Sequence, residues 1–287
     1  MKKYLQYYNT KVARLLESFI DNFFIGVTEL GSELFYMIFL PPIFWCLNKK
    51  FGFRLIYISL LAGFLTALTK NVADTSRPPE KYWKVKPESP GFPSGHTFGP
   101  TALWGYLSVK LKSRIILVFG ITIVALVSIS RLYLGVHYPI DVIGGLVFGI
   151  GLVIGFLYFE PRITQKVNEL TFGQKLALGI IVPAFLSLLA FLSLPGDTRV
   201  ISGSGAIMGV SVGYIIECHT INFKIDVGTG QKILRIFIGL SIAFALFFGL
   251  MMVVPDNVFW LFMLAVLGGV NVTLFAPLVF TSIERFP

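Results

Sequence analysis

Charge, cysteine and histidine are all scarce in this chain. Of its 287 residues 14% are charged, two are cysteines and three are histidines. A soluble domain is typically about a quarter charged, so this composition excludes an ordinary water-soluble globule. Cys46 and Cys218 fall inside apolar runs and lack metal-ligand spacing. A disulfide framework, a cysteine metal site and a redox pair are therefore not expected. The alternation of apolar and polar residues that a membrane β-barrel needs over strands of ~10 residues is also missing. The basic N-terminus is not followed by an early apolar core and a small-residue cleavage site, so no cleaved signal peptide is expected.

What the chain has in quantity is apolar surface: 55% hydrophobic residues, 15% aromatic, and a mean hydropathy of +0.78. Long apolar runs bounded by charged turns indicate transmembrane helices. Such runs cover 34–48, 53–70, 96–109, 114–130, 139–159, 176–195, 204–218, 234–254 and 257–281. The expected fold is all-α, a polytopic transmembrane helical bundle of about nine membrane spans. An N-terminal amphipathic helix is added, because Tyr4, Leu5, Tyr8, Val12, Leu15 and Leu16 recur at helical spacing. A crossing within residues 15–30, interrupted by Glu17 and Asp21, is the alternative. The small-residue stripes Gly145-x3-Gly149, Gly151-x3-Gly155 and Gly205-x3-Gly209-x3-Gly213 are expected to let helices pack closely.

The net charge is +9, but no aromatic–basic surface stretch accompanies it. The lipid bilayer, and no nucleic acid, is the expected partner. Outside the polar motifs, lysine and arginine gather in alternate loops: Lys49, Lys50 and Arg54; Lys110, Lys112 and Arg114; Arg162, Lys166 and Lys175; Lys224, Lys232 and Arg235. That side should be cytoplasmic. The motif side is then extracytoplasmic, on the outer face of the inner membrane if the host is bacterial. His219 stands alone near a helix end and is expected to be structural, and Asn271-Val272-Thr273 lies within an apolar run where glycosylation should be silent.

Three polar breaks carry the chemistry. They are Lys70 to Pro78, Pro93 to His96, and Ser130 to Asp141. Ionisable groups at apolar helix ends are costly and need a joint reason to be there. Phosphoryl transfer supplies one. It needs cations on the phosphate oxygens, a nucleophile in line with the leaving oxygen, and an acid to protonate that oxygen. Lys70 and Arg77 are seven apart and face one point if a helix persists that far. Arg131 adds a second guanidinium, suited to bidentate phosphate contact. Ser94 reads as an N-cap that leaves the amides of Gly95 and His96 free for an anion. His137 and Asp141 are four apart, so the carboxylate can hold one ring nitrogen and leave the other as nucleophile. His96 is then available as general acid. Lys84, Lys86 and Glu88 border the site, either as headgroup contacts or as a solvated loop.

These blocks resemble the type 2 phosphatidic acid phosphatase superfamily, whose signature is K-x6-R-P, P-S-G-H and S-R-x5-H-x3-D. Lys70, Arg77 and Pro78, then Pro93 to His96, then Ser130, Arg131, His137 and Asp141 match it without departure. The resemblance implies a helical-bundle phosphatase with no cofactor and no catalytic metal. It implies His137 as a nucleophile that becomes a phosphohistidine, Asp141 as its orienting partner and His96 as leaving-group acid. Lys70, Arg77, Ser94, Gly95 and Arg131 would hold the phosphate. Residues 1–160 resemble the phosphatase core, and 161–287 add transmembrane helices of unknown role, expected to pack on it. The expected substrate is a membrane lipid phosphomonoester or diphosphate, with undecaprenyl diphosphate the first candidate. Phosphatidic acid, phosphatidylglycerol phosphate and sphingoid phosphates are the alternatives. A lipid phosphotransferase and a non-enzymatic transporter of phosphate or anionic lipid are rival readings.

Overall fold

The computed structural model describes residues 2–87, 89–193, 197–252 and 257–284, with side chains from residue 14 onward apart from those of residues 250 and 251. Its helices are α1 (Lys2–Thr28), α2 (Glu33–Cys46), α3 (Lys49–Ala73), α4 (Gly95–Leu111), α5 (Arg114–Tyr133), α6 (Pro139–Glu169), α7 (Phe172–Ser193), α8 (Thr198–Thr220), α9 (Thr229–Met251), α10 (Val258–Val270) and α11 (Ala276–Ile283). Each apolar run of the sequence becomes a helix. Seven are long and apolar enough to cross a membrane, or eight if α1 and α2, bent by 50° at their junction, count as one broken span. The ninth run is α4, whose 17 residues fall short of the ~20 a bilayer demands. It lies in the middle of the bundle, packed on α3, α5 and α6, where protein rather than lipid surrounds it and a short helix is tolerated. The last run is continuous through a π-turn, Asn271–Phe275, which joins α10 to α11. Asn271 and Thr273 are both buried there.

Residues 2–24 are helical, as the spacing of Tyr4, Leu5, Tyr8 and Val12 suggests, although those four side chains lie outside the described ones. The described part of α1 exposes Leu15, Leu16, Phe19 and Phe23 and packs its other face on α5. Outward-facing leucine, isoleucine and phenylalanine also line α5, α6, α7 and α9, a surface suited to acyl chains.

One apolar core crosses from α2–α5 into the C-terminal helices. Trp45, Leu55, Ile58 and Leu103 share it with Val210, Phe223 and Phe280. The indole of Trp45 donates to the carbonyl of Val272 at 2.8 Å. The bundle end away from the motifs is laced by ion pairs. Glu160 takes Arg54 at 2.7 Å and Lys110 at 3.8 Å. Glu217, fully buried, takes Lys49 at 2.8 Å and the amide of Phe223 at 2.8 Å. Arg235 makes a two-pronged pair with Glu284, 2.7 Å on each prong.

The glycine stripes divide. A Cβ on Gly205, Gly209 or Gly213 would strike α10 or the π-turn, with Val266 O only 2.1 Å from the Gly209 position. One on Gly145 or Gly149 would strike α4. Gly151 and Gly155 have nothing within 4 Å. The expectation that this third stripe packs against a helix is therefore wrong, because both residues point away from any neighbour.

Gly209→Ala should lower the thermal midpoint in detergent, since overpacking costs about 1–3 kcal/mol. Gly151→Ala should leave it unchanged or slightly raised, because alanine is the better helix former. Equal melting of the two variants would contradict the packing described.

Candidate active site

The three motif segments meet at one end of the bundle. α3 stops earlier than the Lys70–Arg77 spacing assumes. Asp74 takes a left-handed conformation (φ 38°) and its amide caps Lys70 at 2.9 Å. Arg77 is therefore on a loop, not two helical turns above Lys70. The loop 75–91 closes on itself instead, with Gly91 N–H on Thr75 O at 3.0 Å and Phe92 N–H on Thr75 Oγ1 at 2.7 Å. It carries Arg77 back over the end of α3.

α4 begins at Gly95, with Ser94 in the N-cap position, but the Ser94 hydroxyl does not cap; it accepts from Thr97 Oγ1 at 3.3 Å. Ser94 N–H bonds Asp141 O at 2.9 Å, tying the start of α4 to the start of α6. Gly145 permits this, since a Cβ there would lie 2.6 Å from Ser94 O. The amides of Gly95 and His96 have no protein acceptor among the described residues, so the helix start keeps two donors for an anion.

Pro139 opens α6 in a first-turn position. Asp141 sits one turn in and is buried with His137. Its Oδ2 accepts from Tyr138 N at 2.9 Å and lies 3.3 Å from His137 Nδ1. The opposite ring nitrogen, Nε2, lies 3.2 Å from Arg77 Nη1. A guanidinium can only donate, so Nε2 presents its lone pair and Nδ1 carries the proton toward Asp141. Burial, opposed by the hydrogen bond to Asp141 and reinforced by Arg77, Arg131 and Lys70, pushes His137 down to about 4. The ring is neutral at pH 7, as a nucleophile must be.

The cations are held mostly by backbone. Lys70 Nζ donates to Pro90 O at 2.5 Å and Gly91 O at 3.2 Å. Arg77 donates to Ser89 O and Val136 O at 2.5 Å each, and to Pro90 O at 3.3 Å. Arg131 Nη1 donates to Thr28 Oγ1 at 2.8 Å, while its buried Nε has no partner among the described residues. Arg131, His137, Lys70 and Arg77 all lie within electrostatic reach of His96, whose ring has no hydrogen-bond partner among the described residues. Lys70, Arg77, Ser94, Gly95, His96, Arg131, His137 and Asp141 thus gather at one place. Beside Arg77 opens a cleft of about 550 Å³ lined by Asp74, Pro78, Trp83, Pro87 and Ser89 among others.

Lys84 is not in that group. It pairs with Asp21 at 2.7 Å and Glu17 at 3.7 Å on α1. Lys86 is exposed, and Glu88 lies outside the described residues. The strap holding Lys84 crosses tightly above the site: Lys84 N–H bonds Leu134 O at 3.0 Å. Gly135 (φ 71°) leaves room for Tyr82 O, which would be 2.0 Å from a Cβ. His219 stacks on Phe172 at 4.2 Å, far from this chemistry in the chain and facing an aromatic ring.

Residues outside the motifs also reach the site. Thr28 contacts Arg131, and a Cβ on Gly31 would meet His96 O at 2.8 Å. The one hint in the sequence is the polar stretch Thr28-Glu29-Leu30-Gly31-Ser32, which interrupts an apolar run.

Residues 51–165 match the model of the PAP2 superfamily, and 201–285 match that of the PAP2 superfamily phosphatase, transmembrane extension. This chain belongs to the PAP2 superfamily. Among its PAP2 relatives, sphingosine-1-phosphate phosphatase 1 of Rattus norvegicus is 32% identical over 74% of this chain and 55% of its own length. Lipid phosphate phosphatase delta of Arabidopsis thaliana is 27% identical over 71% of this chain and 53% of its own. The chain thus spans about half the length of these relatives. A solved PAP2 type phosphatidylglycerolphosphate phosphatase from Bacillus subtilis is 26% identical, covers 50% of this chain and 78% of that one, and superposes with a TM-score of 0.44.

The tautomer and the depressed basicity of His137 can be read directly. In detergent, ¹⁵N-histidine spectra should show His137 as the Nδ1–H neutral tautomer at pH 6, with protonation centred at about 4. Since protonation is suppressed, the neutral form gains as pH rises through that value. A midpoint near the unperturbed ~6.5 would contradict the burial and the cation contacts described.

Proposed function

We propose that this PAP2 protein is an integral membrane lipid phosphatase that works through a phosphohistidine. The observation that carries the reading is the His137 ring, held at Nδ1 by Asp141 and meeting a guanidinium at Nε2. A transporter needs cations but no such neutral, oriented imidazole. On binding, a phosphate takes over donors from Arg77, Lys70, Arg131 and the free amides of Gly95 and His96. Arg77 then leaves the Nε2 lone pair, which attacks phosphorus. A P–N bond forms, the P–O bond to the lipid breaks, and His96, protonated once the phosphate's negative charge sits beside it, gives that proton to the departing alkoxide. Water, deprotonated by His96, next attacks the phosphohistidine and releases inorganic phosphate, returning the electron pair to Nε2. Asp141 offsets the imidazolium character in both steps. Transfer to an acceptor other than water would use the same intermediate.

The relatives' names favour a long-chain phosphomonoester such as a sphingoid phosphate as first substrate. Undecaprenyl diphosphate, phosphatidic acid and phosphatidylglycerol phosphate complete the set. The cleft beside Arg77 gives a headgroup room at the rim. The alternation of basic loops supports an extracytoplasmic site. Residues 1–160 form the catalytic core in this reading, with 161–287 packed on it as support.

His137→Ala should abolish phosphate release from all these lipids, with melting close to that of the unaltered protein. ³²P-labelled substrate should leave an acid-labile, base-stable label on the intact protein and none on His137→Ala. Turnover by the variant within about tenfold of normal, against the 10⁶-scale losses of a deleted nucleophile, would overturn the mechanism. For topology, a cysteine placed at Ser76 should react with an impermeant maleimide in intact cells, and one at Asn168 should not. The opposite pattern would put the site on the cytoplasmic face.

A further inference from the structure

The guanidinium of Arg131 is buried, and in the described structure the side-chain hydroxyl of Thr28 is what holds it, at 2.8 Å. Thr28 is itself buried and is the last residue of α1. It belongs to none of the three motif segments and stands 103 positions before its partner. The neighbouring turn is pressed onto the site as well, since Gly31 packs against the backbone of His96. A hydroxyl accepting from Nη1 leaves the charge of Arg131 uncancelled, and the buried Nε has no partner among the described residues. A carboxylate in the same place would bind the guanidinium more strongly, but it would cancel the charge an anion needs. A neutral acceptor fixes direction and keeps the charge.

We propose that Thr28 is a positioning residue for phosphate binding: its Oγ1 sets the orientation in which Arg131 meets the phosphoryl oxygens, so α1 completes the active site. This rests on the reading of Arg131 as a phosphate donor, and the test separates the two. Thr28→Val keeps the shape and loses the acceptor; Thr28→Ser keeps the acceptor. Orthovanadate, a phosphate mimic, is titrated against the purified full chain by thermal shift, and kcat and KM are measured on lipid phosphate. Thr28→Val should weaken vanadate binding and raise KM by on the order of tenfold, the usual scale for a hydrogen bond to a charged group. Thr28→Ser should stay within about twofold, and the ligand-free midpoints of all three should agree within about 2 °C. A merely structural role would lower the ligand-free midpoint and the yield of active enzyme while leaving KM and vanadate affinity unmoved. Unchanged vanadate affinity in Thr28→Val, or an equal loss in Thr28→Ser, would overturn the role of Thr28. Failure of the unaltered protein to bind vanadate would instead overturn the phosphate reading on which it rests.

Discussion

Lys70, Arg77 and Arg131 are confined together at one end of an apolar bundle, and among the described residues no carboxylate is paired with any of them. Burying a cation without a partner is prohibitive, so the chain must supply acceptors without supplying negative charge. It does so with carbonyl oxygens for Lys70 and Arg77 and with the Thr28 hydroxyl for Arg131. Loop 75–91 folds back so that Ser89, Pro90 and Gly91 face the lysine and the arginine. The carbonyl of Val136 serves Arg77 from the other side. The nearby carboxylate, Asp141, is already committed to His137 and to the amide of Tyr138. Much of the local architecture follows from that arrangement: the left-handed stop at Asp74, the closed loop, and the strap threaded over Gly135.

The other end of the same bundle treats charge in the opposite way. Glu160, Glu217 and Glu284 each meet a lysine or an arginine, and Arg235 is further wrapped by Trp45 O and Lys224 O. Those groups are matched and have nothing to offer a ligand. They fasten α3 and α4 to α6, α3 to α8, and α2 and the chain's last described turn to α9. At the site end, Asn71, next to Lys70, bonds Asp197 at the start of α8 at 2.7 Å. The C-terminal helices thus brace α3 at both ends, which keeps the lysine's origin from shifting when its acceptors change.

Most of the helices were legible because lipid allows few alternatives: an apolar run must be helical, and its length is bounded by bilayer thickness. The polar motif residues that meet at the candidate site were legible because ionisable side chains in such runs are rare enough to stand out. Three features escaped. The end of α3 depends on a left-handed Asp74, a conformation that asparagine and aspartate reach but that no spacing rule requires. The idle stripe Gly151/Gly155 has the same spacing as the packed Gly145/Gly149. It lies about 240° further round the helix at 3.6 residues per turn, and spacing does not say which face has a neighbour. Lys84 was legible as a charge beside the site, but not that Asp21, 63 positions earlier, would claim it.

That last pairing joins with Thr28 to give α1 two grips on the active site. Asp21 accepts from Lys84 on the strap and from Tyr133 OH at 2.6 Å, and Thr28 accepts from Arg131, two residues before Tyr133. One grip holds the strap that crosses Leu134 and Gly135, and the other holds Arg131. Both are hydrogen bonds from a single helix that otherwise turns leucine and phenylalanine outward. The helix that holds none of the motif residues therefore joins the strap and Arg131 through two hydrogen bonds.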